Sequence, residues 1–253
     1  MLRVQEGDTV EVTLTNDKSS LHDHNIDLHA VTGPGGGAVL TNVTPGETKT
    51  FKFKALNPGL FIYHCAMPNV STHNSHGQYG LIMVDPKDPA LSLSKVDKEF
   101  YITQGELYTE GHLGKKGLVP FDSDALLDGM PNYVVFNGKI EGTPRLHAKV
   151  GDRIRMYVGN GGVNLVSSFH VIGEIFDEVY PDAAIGEGSA IFKNVQTANV
   201  SPGGASIVEF SLDVPGKYLL VDHALARMNK GAWAVLEVSG PENPDIFGKV
   251  EMH

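Results

Sequence analysis

A chain of 253 residues that is 41% hydrophobic suits two domains of about 100–150 residues each. Its net charge of −10 argues against nucleic-acid binding, which needs a basic footprint, and no apolar run approaches the roughly 18 residues of a membrane-spanning helix. A lone cysteine among 11 histidines cannot form an internal disulfide and is a better ligand candidate than a staple. The start, Met1 to Asp8, reads as a strand and carries neither the basic nor the apolar region of a signal peptide. With 29 Gly, 14 Pro and no strong helical period, the chain reads as all-β.

One unit is written twice. Val4–Val12, with its Gly7-Asp8 turn, matches Ala148–Met156 with Gly151-Asp152. Pro45-Gly46 followed by Phe51-Lys52-Phe53 matches Pro202-Gly203 followed by Val208-Glu209-Phe210. Asn57–Cys65 matches Val214–Asp222, and the apolar runs Gly80–Val84 and Gly231–Leu236 close the copies. Short alternating strands between Gly-Asp and Pro-Gly turns predict a Greek-key β-sandwich or barrel in each half. A boundary near Pro86–Pro89 gives domains 1–90 and 91–253, with a long connection over 105–130 that holds one helical turn at Ser123–Leu127. Six residues past its Gly59, the first copy has Cys65; six past Gly216, the second has Asp222, and then His223.

The ligand-bearing residues form two sets. His24, Cys65 and His73 supply two imidazoles and a thiolate, the trigonal set of a blue copper, with Gln78 five past His73 offering an amide oxygen as weak axial ligand. His76 competes for the ring position, but five past it stands Leu81, which cannot ligate. His64 precedes Cys65 on one strand, so the two side chains point to opposite faces. His24 and His29 differ by an odd number and are expected to separate likewise, which pairs His29 with His64. His223, from the other half or a neighbouring subunit, is the natural third imidazole of an open catalytic site. Zinc fits that second set by ligand type; the adjacent thiolate tilts it to copper. Asp27, two residues before His29, can relay protons to a bound substrate. His170 occupies the matching region of the second copy.

In combination these residues resemble the copper-containing nitrite reductases, in the branch typified by outer-membrane neisserial enzymes. The likeness rests on His24–His29, Thr32–Gly37, Tyr63–Ala66, Tyr133–Gly138, Ser168–Gly173 and Val221–His223. The resemblance implies two tandem cupredoxin-like domains and one-electron reduction of nitrite to nitric oxide. It implies two coppers per subunit: type 1 held by His24, Cys65, His73 and an axial group at Gln78, and type 2 held by His29, His64 and His223 of the partner subunit in a homotrimer. The electron passes from type 1 to type 2 through Cys65-His64. Asp27 and His170 match the proton-donating pair, Ile172 the apolar residue above type 2 copper, and Gln196 and Thr197 the residues that orient the catalytic histidine. A small cupredoxin or c-type cytochrome donor and a periplasmic or outer-membrane address are implied too. Two departures stand out. Gln78 replaces the usual axial methionine, and the family strand that precedes the position of Leu2 is not in this sequence, so the chain is expected to be N-terminally truncated. The alternatives are a non-enzymatic copper carrier, a two-domain laccase-like oxidase and a zinc hydrolase.

Overall fold

The computed structural model describes residues 1–140, 142 and 144–250. Among them the first half holds β1 (Leu2–Gln5), β2 (Thr9–Thr15), β3 (Asp27–Leu28), β4 (Thr48–Lys54), β5 (Gly59–His64), a short helix α1 (Val70–Ser75) and β6 (Tyr79–Asp85). The second half begins with β7 (Lys98–Leu107), the helical turn α2 (Ser123–Leu127), β8 (Tyr133–Phe136), β9 (Arg145–Lys149) and β10 (Arg153–Asn160). It continues with β11 (Ser167–Ile172), β12 (Phe176–Tyr180), β13 (Phe192–Val195), β14 (Ala198–Val200), β15 (Ala205–Ser211), β16 (Gly216–Asp222) and β17 (Trp233–Ser239). No described helix is long and apolar enough to cross a membrane.

The strands form two packed pairs of sheets. In the first half the orders are β1-β6-β5-β3 and β2-β4; in the second they are β13-β12-β15-β10-β7-β8 and β14-β11-β16-β17-β9. The all-β expectation holds, and the repeat read from the sequence holds down to single hydrogen bonds. β1 runs parallel to β6 as β9 does to β17. Gly7 and Gly151 both turn with φ near +90°, a region glycine enters without a Cβ penalty. The Asp8 carboxylate accepts from Gln5 N at 2.9 Å, as Asp152 does from Lys149 N at 2.9 Å. Asn16 Nδ2 donates to the His22 and Val43 carbonyls, and Asn160 Nδ2 to those of Leu165 and Val200.

Alternation decides which faces are buried. In β4, Phe51 and Phe53 point inward while the flanking lysines face solvent. β10 and β15 are buried along nearly their whole length because both faces are covered. Phe51, Phe53, Leu28 and Ile82 fill the first half, and Phe136, Phe169, Phe176 and Phe210 the second. A third apolar cluster joins the halves: Leu60, Ile62, Leu81 and Met83 meet Tyr157, Tyr180 and Ile207. Each fully buried side chain of this size contributes about 1.5–3 kcal/mol.

Tyr79 crosses the same boundary. A Cβ on Gly105 would stand 1.8 Å from its hydroxyl oxygen, and one on Gly161 would stand 2.3 Å from its ring. Only glycines leave room for that ring. Burial first, and Glu106 second, push the Tyr79 pKa up to about 12.

The connection differs in one respect from expectation. The weak periodicity of the sequence predicts it over 105–130, but β7 runs on to Leu107, because Gly105, Glu106 and Leu107 pair with Val135, Val134 and Tyr133 of β8. Pairing with a partner remote in sequence overrides the weak local periodicity. The helical turn at Ser123–Leu127 is present, capped by the Asp122 side chain, which accepts from Ala125 N at 2.9 Å.

Glu174 lies just past β11. Burial, then the charges of Asp213 and Asp177, raise its pKa from 4.5 to about 7. The folded state thus holds this proton more tightly than the unfolded chain. Its favourable contribution is complete below about pH 4.5 and is lost as pH rises through about 7. Glu174→Gln should flatten that dependence, gaining about 1 kcal/mol at pH 8 after allowance for partial exposure. Thermal midpoints at pH 5 and pH 8 check this; an equal pH slope in both proteins refutes it.

Candidate metal centres

Cys65 lies one residue past β5, and three elements bring donors to it. Its Sγ is 3.5 Å from His73 Nδ1 and 3.8 Å from His24 Nδ1. Gln78 Oε1 reaches within 3.1 Å of the same His73 nitrogen. His24 is fixed by a two-way backbone bridge to Val43 at 3.0 and 2.8 Å. Cys65 N donates to the Gln78 carbonyl at 3.0 Å and closes the ligand loop. Burial first, then His73, hold His24 below the usual histidine range, which favours the unprotonated form that can ligate. The thiol is 5% exposed.

The loop is braced by residues that sequence reasoning passed over. His73 rides on α1, six residues too short for a visible helical period. Asn74 beside it is buried, and with its amide nitrogen turned to donate it reaches the carbonyls of Cys65 at 3.2 Å and Gln78 at 3.3 Å. Asn25 Oδ1 accepts from Ala66 N at 2.7 Å. His76 stands outside: its Nδ1 donates to the Thr72 carbonyl and its ring packs on Phe121.

His64 faces a different cluster. Its Nε2 lies 3.1 Å from His29 Nε2 and 3.8 Å from Asp27 Oδ2. His64 Nδ1 donates to the Cys65 carbonyl at 3.0 Å, which leaves Nε2 as a bare acceptor. Burial first, then His64, hold His29 below its usual pKa. At 3.1 Å the two Nε2 atoms are close enough for His29 to donate to His64 or for both lone pairs to serve one cation. Soft sulfur with two imidazoles on one side of a peptide unit, and two imidazoles beside a carboxylate on the other, is a donor chemistry that fits copper.

The separation of His24 from His29 arises differently from the alternation argument. β3 covers only Asp27–Leu28; His24 sits in an isolated bridge and His29 in the turn that follows. Asp27 pairs with His64 in register, which puts its carboxylate on the His64 side. The Gly35-Gly36-Gly37 turn makes space for it. Gly36 has φ +55°, and a Cβ there would lie 1.9 Å from Asp27 Oδ1.

His170, Ile172 and His223 gather elsewhere. The His170 and His223 rings are 5.3 Å apart. His170 Nδ1 donates to the Gln196 carbonyl, and the ring is half-buried. Thr197 is half-buried ahead of β14, and Ile172 is 41% exposed. Among the described residues no hydrogen bond, ring contact or ligand cluster within the chain joins this group to Asp27, His29 or His64. His170 and Ile172 repeat the register of the other group, whereas His223 does not, since Val221 is the counterpart of His64. His24 bridges Val43 as Ser167 pairs with Val200, and Asp27 pairs with His64 as His170 pairs with Val221. His170 thus stands where Asp27 stands, and Ile172 where His29 stands.

The comparisons agree with this geometry. The multicopper oxidase family matches residues 1–89. A copper-containing nitrite reductase of Neisseria meningitidis serogroup A is 57% identical over 251 residues, 98% of this chain, and the chain spans 63% of that relative's length. One from Pseudomonas chlororaphis is 32% identical over 99% of the chain and 72% of its own length. The solved copper nitrite reductase of Nitrosomonas europaea superimposes with a TM-score of 0.83 at 36% identity, covering 96% of this chain and 84% of that one. Duplicated sandwiches, a cysteine–histidine pair turned toward two clusters, and these likenesses across both halves lead to one conclusion: the chain belongs to the copper-containing nitrite reductase family.

Proposed function

We propose that the chain reduces nitrite to nitric oxide by one electron, as part of a homotrimer built from domains 1–90 and 91–253. The observation that carries this reading is the placement of Cys65 and His64, sequence neighbours whose side chains enter separate donor clusters. Type 1 copper is assigned to His24, Cys65, His73 and Gln78. Type 2 copper is assigned to His29, His64 and His223 of the partner subunit. Among the described residues His223 is exposed beside His170 and belongs to no donor cluster within the chain, which supports a site shared between subunits.

Copper there would supply the electron and a Lewis acid for nitrite oxygen. The chain's own residues do the rest. One peptide unit, reinforced by the His64 Nδ1 hydrogen bond to the Cys65 carbonyl, joins the two clusters. Asp27 and His170 hold the two protons with which nitrite becomes nitric oxide and water. Ile172 narrows the space over the imidazoles. A small cupredoxin or c-type cytochrome as donor, a role in denitrification and a periplasmic or outer-membrane address belong to the same proposal.

Purified protein tests it by copper per chain, optical spectrum, and nitrite loss with nitric oxide formation under reduced methyl viologen. Two coppers per chain and turnover are expected; two coppers without nitrite loss overturn the reading. The multicopper oxidase match over residues 1–89 favours a laccase-like rival. That chemistry needs paired His-x-His ligands and a histidine after the cysteine. Here Ala66 follows Cys65, and His22 lies outside both donor clusters among the described residues. Oxygen uptake in place of nitrite loss would favour the rival.

The axial position gives a separate prediction. The Gln78 amide oxygen is harder than a thioether and stabilises Cu(II). Gln78→Met should raise the type 1 potential, measured by spectroelectrochemistry; an unchanged or lower potential refutes the axial role.

A further inference from the structure

In the second half, Asp222 occupies the register position that Cys65 holds in the first. It is fully buried, at 0% exposure. Arg227 Nη1 donates to its Oδ2 at 2.6 Å and to the Val166 carbonyl at 2.6 Å. Gln104 Nε2 donates to the same Oδ2 at 3.1 Å, and Gln104 Oε1 accepts from Ser167, the counterpart of His24. The former thiolate position therefore holds a carboxylate, and its countercharge is a guanidinium from within the chain.

The other carboxylate oxygen governs His223. Asp222 Oδ1 accepts from Ser168 N at 3.2 Å and from Ala224 N at 3.0 Å. The Ser168 carbonyl in turn accepts from His223 N at 2.8 Å. His223 is thus bracketed on both sides by groups tied to one carboxylate, while its ring stands exposed beside His170. An isolated buried carboxylate would reorganise or take up a proton; its ionic partner keeps it fixed.

We propose that Arg227, through Asp222, is the positioning residue that aims His223 across the subunit boundary. The remnant of the second ligand site is retained as an ion-paired mount for the imidazole that the first site lacks. This inference rests on the assignment of His223 to the shared copper.

The test compares wild type with Arg227→Ala, Arg227→Lys and the neutral pair Asp222→Asn with Arg227→Leu, which avoids an unpaired buried charge. Copper titration reads type 1 absorption, the type 2 electron paramagnetic resonance signal, copper per chain and oligomer mass. In Arg227→Ala and the neutral pair, type 2 affinity should fall about 10–100-fold, with type 1 absorption and oligomer retained. Arg227→Lys should stay near wild type. Wild-type affinity in both altered proteins overturns the proposal. So does joint loss of both coppers, which marks the pair as support for the whole fold. In metal-free protein, the His223 ring resonances should shift and broaden in Arg227→Ala while those of His24 hold; unchanged His223 resonances also overturn it. A wild type that never takes a second copper sinks the shared-site assignment instead, and the metal-free resonances still read the positioning.

Discussion

Asp27→Asn is expected to keep both coppers and to lower kcat for nitrite by about 10²–10⁴-fold, the range of a lost general acid. The carboxylate is held 3.8 Å from His64 Nε2 and against the Gly36 turn, so asparagine fits without moving the loop. The substitution removes the exchangeable proton and leaves size and register alone. A rival role for Asp27 is direct ligation, since its oxygen lies in one cluster with the His29 and His64 nitrogens. Copper per chain separates the two. A ligand's loss would empty the type 2 site, whereas a proton donor's loss would leave it loaded and slow. Wild-type turnover in the loaded variant would refute both roles.

Glu209→Ala should cost about 3–5 kcal/mol, the penalty for breaking a buried ion pair from one side. The Glu209 side chain is 0% exposed and binds Arg155, itself 5% exposed, at 2.7 Å, together with Arg153 at 2.8 Å and Ser94 at 2.8 Å. Arg155 continues to Glu99, and Glu99 to Arg3, which grips Asp85 on β6. The charges thus run from one half of the molecule into the other. Removing Glu209 leaves the buried Arg155 paired from one side, through Glu99 and the Ser94 carbonyl, and the thermal midpoint should fall by about 6–20 °C for a chain of this size. Lys193→Ala, at an exposed end of the same network, should change stability by no more than about 1 kcal/mol. Equal small effects at both positions would show that burial does not govern these pairs.

The groupings of His24, Cys65 and His73 and of His29 with His64 were legible because one thiolate and fixed spacing constrain the choice; His223 lies apart from them within the chain, beside His170. The doubled fold was legible because its Gly-Asp and Pro-Gly turns recur in order. What escaped has physical causes. β7 ran past its expected end because strand pairing with β8 is non-local. The six-residue α1 has too few turns to show a period. The roles of Asn74, Gly36 and Arg227 depend on partners remote in sequence or on a missing Cβ, and neither leaves a local pattern. The odd-spacing argument for His24 and His29 reached the observed separation by way of a strand that is only two residues long.

Tyr79 follows Gln78 directly, and its ring is seated against Gly105 and Gly161 of the other half. The Gln78 amide beside the first cluster is therefore moored to a neighbouring sandwich. The halves are duplicates in pattern but not interchangeable cassettes. A fragment cut near residue 90 would keep every donor atom of the first cluster and still lose the anchorage of the Gln78 amide. Such a piece would be a loosened redox centre, its spectrum and midpoint drifting, rather than a miniature carrier released intact.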